Sequence, residues 1–547
     1  MARGHSLQSV PIPRFPRARF NLSHSVTTSM DVGTLYPIDW QEVVPGDVFK
    51  CRAFDVSRVT SSFLKPVMDN LFLDVYHFFV PHRLVFDNFE KVFGNPNPSA
   101  YTDNALEEIP MGYGSVNAGS VGDYLGLPIG SIPQANPVSL LPFRSFALIY
   151  DKYFRNENTT DEIFVQKGAM QPSEVLNNNV FGPNNYTGKL PKVNKYKDYF
   201  TSCVPNPQKG APVGFSLGTQ AVVKTSPSDL YIDAAPESLH FRRNNGSTLV
   251  SGSWYGVGAV GNGLYTGTTA LNSISSSGVT PWQVYPSNLY ADLSSAGAIT
   301  VDDLRLAFAY QKMLERDAIY GSRYNEYLYG HFGVHIPDAY IQFPQYLGGG
   351  RTPLNIVQVA QTSQGTEESP LGNVGAYSWT NGRTGYSRKF NEHGIIMTVA
   401  CLRYRHTYQQ GIAKKWRRKV REDFYDPLFS TIGQQPVYAS ELYYSAAPDT
   451  VFGYREAWSE LRSIPNTISG EMRSGATNSL DIWHFADNYS SAPTLSQSFT
   501  EETPVYVDRT LSVPSSSQDN FILNFYFDMS AVRKMPVYSM PSLIDHH

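Results

Sequence analysis

Three strand-like stretches lie hundreds of residues apart, and any fold must bring them together. Leu71, Leu73, Val75 and Phe79 alternate with Asp74 and Tyr76 before Pro81 stops the run. Phe521, Leu523, Phe525 and Phe527 alternate with Asn524 and Asp528. Residues 394–402 (GIIMTVACL) are apolar at nearly every position, as in a strand covered on both faces. A period of two marks a strand, because successive side chains point to opposite faces. A sheet that combines all three needs long connections. This pattern predicts an all-β dominated jelly roll with elaborated loops.

Helices are few by the same reading. The clearest covers about 301–317, with Thr300 as N-cap, Asp303 three residues on, and Leu304, Ala307, Phe308 and Leu314 at helical spacing. A second is expected over 142–154. The N-terminal residues 1–30 carry Arg3, Arg14, Arg17 and Arg19 and no carboxylate, and Pro11, Pro13 and Pro16 exclude a helix there. They read as a basic extended arm, or as an ordinary frayed terminus.

Charge is scarce along the chain. Only 17% of the 547 residues are charged, whereas 35 Tyr and 31 Phe raise the aromatic share to 13%. Interface cores show the same bias, so the chain suits a subunit that hides surface against neighbours. A large secreted β protein is the plainer alternative. From Asn244 to Ala291 there is no Asp, Glu, Lys or Arg at all. A solvated linker normally carries charge. Residues 206–300 are therefore expected to form an insertion with short strands, packed against copies of itself. A flexible linker is the competing reading.

Motifs for chemistry are weak. Gly256-x-Gly258-x-x-Gly261 matches a dinucleotide fingerprint only formally, in a low-complexity setting. His331 and His335 are four apart, but Gly333 and Pro337 argue against one helix carrying both. No catalytic residue, metal ligand or cofactor is expected. Cys51, Cys203 and Cys401 are odd in number and far apart, which speaks against a disulfide framework. The opening Met1-Ala2-Arg3 lacks an apolar signal core, and no run is long enough to predict membrane insertion.

The densest basic run is Lys414, Lys415, Arg417, Arg418 and Lys419 around Trp416. Cations bind phosphates and rings stack on unpaired bases, so these residues and Arg3, Arg14, Arg17 and Arg19 are candidate single-stranded DNA contacts. The plainer reading is a salt-bridged face, since Glu422, Asp423 and Asp426 follow at once. A net charge of −4 cannot neutralise a genome by bulk attraction. Either the cations gather on one surface, or a more basic protein does most of the work.

Several strings resemble the gokushovirus-type major capsid proteins of the Microviridae. They include PRFPRARFNLSHSVTTSMDVGTLYPIDWQEVVPGDVF (13–49), DVYHFFVPHRLVF (74–86), DYFTSCVPNPQKG (198–210), TYQQGIAKKW (407–416) and MPVYSMPSLIDHH (535–547). The resemblance spans almost the whole chain. It implies an eight-stranded antiparallel jelly roll over 31–205 and 301–547. It implies a T=1 icosahedral shell of identical copies around a circular single-stranded DNA genome. It also implies a small basic internal DNA-binding protein, a minor pilot protein, assembly in the host bacterial cytoplasm, and a three-fold protrusion formed by 206–300. That protrusion is a suspected contact for a bacterial surface receptor, with Asn245, Trp254, Tyr255, Tyr265, Trp282 and Tyr285 as candidates. A DNA role for Ala413–Arg421 rests on chemistry and not on the resemblance, since the stretch is richer in Lys and Arg than the family pattern. The runner-up function is a carbohydrate- or receptor-binding jelly-roll module whose main role is attachment; a secreted β-rich hydrolase has composition alone behind it.

Overall fold

A computed structural model describes residues 16–94, 106–214, 300–360 and 374–538, apart from positions 165, 172–173, 177–179, 322 and 339–341. Between 215 and 299 it describes seven strands. The chain divides into two compact units, residues 1–209 with 315–547, and residues 210–314.

The first unit is built on eight antiparallel strands. They are β1 (His24–Met30), β2 (Leu35–Val43), β3 (Val48–Val59), β4 (Leu71–Pro81), β5 (Gln345–Pro353), β6 (Val374–Lys389), β7 (Gly394–Tyr404) and β8 (Phe521–Arg533). One sheet runs β1-β8-β3-β6, and the other runs β2-β7-β4-β5. Consecutive strands cross between the sheets, except at β4 and β5. This is an eight-stranded jelly roll. Ala18–Asn21 extends the first sheet along the end of β8, and Ile356–Ala360 extends it beyond β6.

The three stretches singled out in the sequence do not share a sheet. The 71–81 and 394–404 strands pair with each other, but 521–533 lies in the opposite sheet. The connections decide this, since the strand before β8 and β8 itself lie in opposite sheets. Strand β8 is buried at every second position from Phe521 to Met529, so one of its faces is wet. Strand β7 is buried at every position except Arg403, as expected for a strand covered on both sides. Strand β4 keeps its strand identity, but both its faces are covered. Asp74, read as an outward polar position, is fully buried. It holds Arg351 at 2.8 Å, accepts a 2.8 Å hydrogen bond from the Tyr196 hydroxyl, and pairs with Arg403.

Between the sheets, Phe49, Phe79, Phe521, Phe525 and Phe527 form the main core. His77 on β4 ties the sheets together by hydrogen bonds of 2.9 Å to Thr398 on β7 and 2.9 Å to Thr384 on β6. Gly348 on β5 allows a close crossing there, since a Cβ would lie 2.7 Å from the Gly385 carbonyl oxygen on β6.

The helix expected over 142–154 exists as α1 (Leu141–Ile149), buried at every residue, followed by a wider turn at Tyr150–Phe154. The 301–317 helix is α2 (Val301–Tyr320), and α3 (Tyr324–Phe332) follows. Thr300 caps α2 as its sequence implies. Its hydroxyl accepts from the Asp303 amide at 3.1 Å, and its own amide donates to the Asp303 carboxylate at 3.2 Å. The β7–β8 connection, 405–520, shares a smaller core with residues 199–203, around Phe200, Tyr408, Leu442 and Phe452.

Candidate functional site

The basic run after β7 folds as a short 3-10 turn, Lys414–Trp416, and its neighbours. Three of its cations are engaged within the chain. Lys414 reaches Gln435 at 3.2 Å, Arg417 the Pro448 carbonyl at 3.3 Å, and Arg418 the Glu460 carboxylate at 3.5 Å. Lys415 and Lys419 are exposed, and Trp416 is 78% exposed. A cleft of about 580 Å³ beside the run is lined by Glu422, Asp423 and Asp449 as well as by the cations. The mixed lining weakens its pull on phosphate. Of the N-terminal candidates, Arg3 and Arg14 lie outside the described residues. Arg17 and Arg19 are exposed, and Arg19 donates to the Ser530 hydroxyl at 3.3 Å across the strand pair.

A second basic surface has no counterpart in any single stretch of sequence. It is the outward face of the first sheet. Residues directly opposite in an antiparallel pair share a face. The register therefore places Arg58 between Trp379 and Ile522, Phe54 between Arg383 and Tyr526, and Arg52 between Gly385 and Asp528. Lys50 lies between Ser387 and Ser530, while Lys389 and Arg19 stand at the two ends of a further row. Rows two residues apart are roughly 7 Å apart. Trp379 is 50% exposed, and Tyr526, Ile522 and Phe54 are exposed too. The Arg383 guanidinium sits 5.5 Å from the Phe54 ring centre. Asp528 is the carboxylate that interrupts this face among the described residues of the four strands. The alternation in 48–59 is the signal that could have found it, but its meaning depends on β6 and β8 lying alongside.

A third surface is apolar. Leu304, Ala307, Phe308 and Leu314 sit at helical spacing in the sequence. In α2 none of them is buried. Only Ala318 is buried in the whole helix, and Leu306, Phe308 and Tyr310 are 70%, 60% and 51% exposed. Large apolar side chains exposed on a helix among the described residues mark a contact with another molecule.

The second unit contains short strands. Five form one antiparallel sheet, which includes His240–Asn244, Tyr255–Val260, Gly263–Thr266 and Gln283–Pro286, and two form a separate pair. Tyr255, Tyr265 and Tyr285 lie on these strands, opposite Phe241, Gly258 and Arg242. Asn245, Trp254 and Trp282 lie outside the described residues. Gly256 and Gly258 fall inside a strand, not in a strand-to-helix turn. His331 ends α3 and faces Asp317 at 2.9 Å, whereas His335 lies beyond the left-handed Gly333. Among the described residues no group of three or more His, Cys, Asp or Glu could hold a metal ion, and no helix is long and apolar enough to cross a membrane.

Comparison with known proteins places these surfaces in context. A phage family described as "Capsid protein (F protein)" matches residues 8–543. Capsid protein VP1 of Spiroplasma virus 4 is 37% identical over 552 residues, covering 99% of this chain and 98% of that protein. Capsid protein VP1 of Chlamydia phage 1 is 34% identical over 99% of this chain and all of its own length. Capsid protein VP1 of Bdellovibrio phage phiMH2K is 36% identical over 98% of this chain and 97% of its own.

Proposed function

Because this chain belongs to the phage capsid protein (F protein) family, we propose that its copies close into a T=1 icosahedral shell around a circular single-stranded DNA genome. The chain is a capsid protein and part of a virion; its task is binding, not catalysis. The observation that carries the proposal is α2, a helix of exposed Leu, Phe and Tyr with one buried residue. Identical subunits cover such faces by meeting at symmetry axes, and closure makes many weak contacts cooperative. A small basic internal protein and a pilot protein complete the particle in this reading, since a subunit of net charge −4 cannot alone neutralise DNA. Assembly then takes place in the host bacterial cytoplasm.

Electron microscopy of the expressed protein tests the closed shell, and small icosahedral particles are the expected result. Leu306→Asp with Phe308→Asp is expected to abolish them while circular dichroism stays that of the natural subunit. Losing two apolar anchors and adding two buried charges costs on the order of several kcal/mol per contact, repeated at every symmetry axis. Particles at normal yield from this variant would remove α2 from the assembly interface.

Host attachment is assigned to 206–300. Its Tyr-, Asn- and Gly-rich composition suits an adaptable recognition surface. Asn244 and Gln283 are direct register partners, so a two-residue Asn-Gly turn can replace residues 245–282 without straining the remaining strands. Particles of this variant are expected to form and to adsorb to host cells at least tenfold less. Normal adsorption would exclude the segment from attachment, and lost assembly would assign it to the shell instead.

A further inference from the structure

We propose that the outward face of the β1-β8-β3-β6 sheet is a platform for unpaired nucleic acid, in which Lys50, Arg52, Arg58 and Arg383 hold phosphates while Phe54, Trp379 and Tyr526 stack on bases. The inference rests on the capsid reading for the presence of a genome, and on the sheet register for everything else.

Charge complementarity identifies the occupant. Six cations (Arg19, Lys50, Arg52, Arg58, Arg383 and Lys389) share this face with one carboxylate, Asp528, in a chain whose overall balance is negative. The face therefore attracts a polyanion, and it would repel the basic internal protein. Aromatic content narrows the choice to unpaired strands. Bases inside a duplex have no free faces, whereas those of a single strand can lie on a ring, and alternating cations then follow the backbone. The rings are available: none of Phe54, Trp379 and Tyr526 is less than 37% exposed. Geometry keeps them so. The strands hold the side chains upright, and Arg383 packs against Phe54 without covering it. Stacking and phosphate contact are both indifferent to base identity, as a surface that meets any part of a genome must be.

The platform also distinguishes the two basic regions of the subunit. In the 414–419 run, three cations are spent on neighbours within the chain. On the sheet, the side chains of Lys50, Arg52 and Arg58 have no hydrogen-bond or ion-pair partner among the described residues.

Ultraviolet crosslinking of intact natural particles, followed by nuclease and peptide mass spectrometry, tests this without altering the fold. Nucleotide adducts are expected on the peptides containing Phe54, Trp379 and Tyr526. Adducts confined to other peptides would overturn the proposal. The second arm uses Arg52→Gln, Arg58→Gln and Arg383→Gln together. Exposed amides at these positions leave the core untouched, so particles are expected at normal yield with nuclease-protected DNA reduced at least twofold. Full DNA content in normal particles would overturn the platform and leave the capsid reading intact.

Discussion

Subunits carrying Glu174→Ala are expected to lose about 3–5 kcal/mol of folding stability, enough to remove most of the margin of an ordinary domain. Glu174 and Arg144 are both almost completely buried. Arg144 stands on α1, in the middle of the first unit's core. Its Nε donates to Glu174 Oε1 at 2.8 Å, and its Nη2 donates to Oε2 at 2.9 Å. The remaining guanidinium hydrogens go to the carbonyls of Val85, Gly168 and Ala169. Glu174 in turn accepts from the Tyr186 hydroxyl and, at 2.7 Å, from the Gln171 amide. Such a pair adds little net stability over an apolar replacement, because both ions lost their water on folding. Removing one partner is different. The guanidinium cannot deprotonate, so Ala at 174 leaves a full positive charge in the core. Glu174→Gln keeps one acceptor oxygen and is expected to cost roughly half as much. Urea unfolding of both variants measures the difference. A loss below about 1 kcal/mol for Glu174→Ala would show that the core relaxes around the cation, which nothing in this packing provides for.

The sequence revealed elements better than partners. The alternating Phe521–Phe527 run and the continuous 394–402 run each predicted a strand and its burial, because burial leaves its mark within one strand. Thr300 and Asp303 marked the start of α2 for the same local reason. Partnership was not legible. Whether 521–533 joins the sheet of 394–404 depends on which connection crosses the sandwich, and no residue in either strand encodes that alone. Asp74 looked like an outward polar residue because Arg351 and Arg403, which neutralise it, are far away in sequence. Local density likewise drew attention to Lys414–Lys419, yet Gln435, Pro448 and Glu460 engage three of its cations. The denser free basic face is assembled where β3, β6 and β8 lie side by side, which no one of them encodes.

A stability loss of about 3 kcal/mol is expected between pH 6.5 and 9, and His406→Gln should remove most of it. His406 is 4% exposed and lies between two buried carboxylates, with Nδ1 2.7 Å from Asp487 and Nε2 2.9 Å from Glu502. Burial alone would drive its pKa down, but Asp487 and Glu502 outweigh burial and push it up to about 9. Lys195, 3.6 Å from Asp487, opposes the rise, while Tyr404 packs on the ring and Tyr489 donates to Asp487 at 2.6 Å. The folded chain thus holds a proton that the unfolded chain gives up above pH 6.5. The stabilisation is complete below 6.5 and disappears as pH rises through 9. Burial opposes the ionisation of Asp487, yet His406 and Lys195 hold its pKa below the usual carboxylate range, so its contribution is lost only in acid. His77 acts in the opposite sense to His406. Burial pushes it down to about 4, so the ring stays neutral between the sheets while the unfolded chain takes up a proton, and stability falls as pH drops from 6.5 towards 4. The buried thiols of Cys51, Cys203 and Cys401, each pushed up by burial to about 12, act only above pH 9. Among the described residues, the histidines raised into the 6.5–9 window are His406 and His24. The hydrogen bond its ring donates to Asp39 raises His24 to about 9 as well, but the ring is half-buried and still reaches solvent, so its share is screened by salt. Unfolding midpoints at high salt across this window should therefore fall in the natural chain and stay nearly level in His406→Gln, from a lower starting value. An equal slope in both would mean that the Asp487–His406–Glu502 chain does not carry a proton at neutral pH.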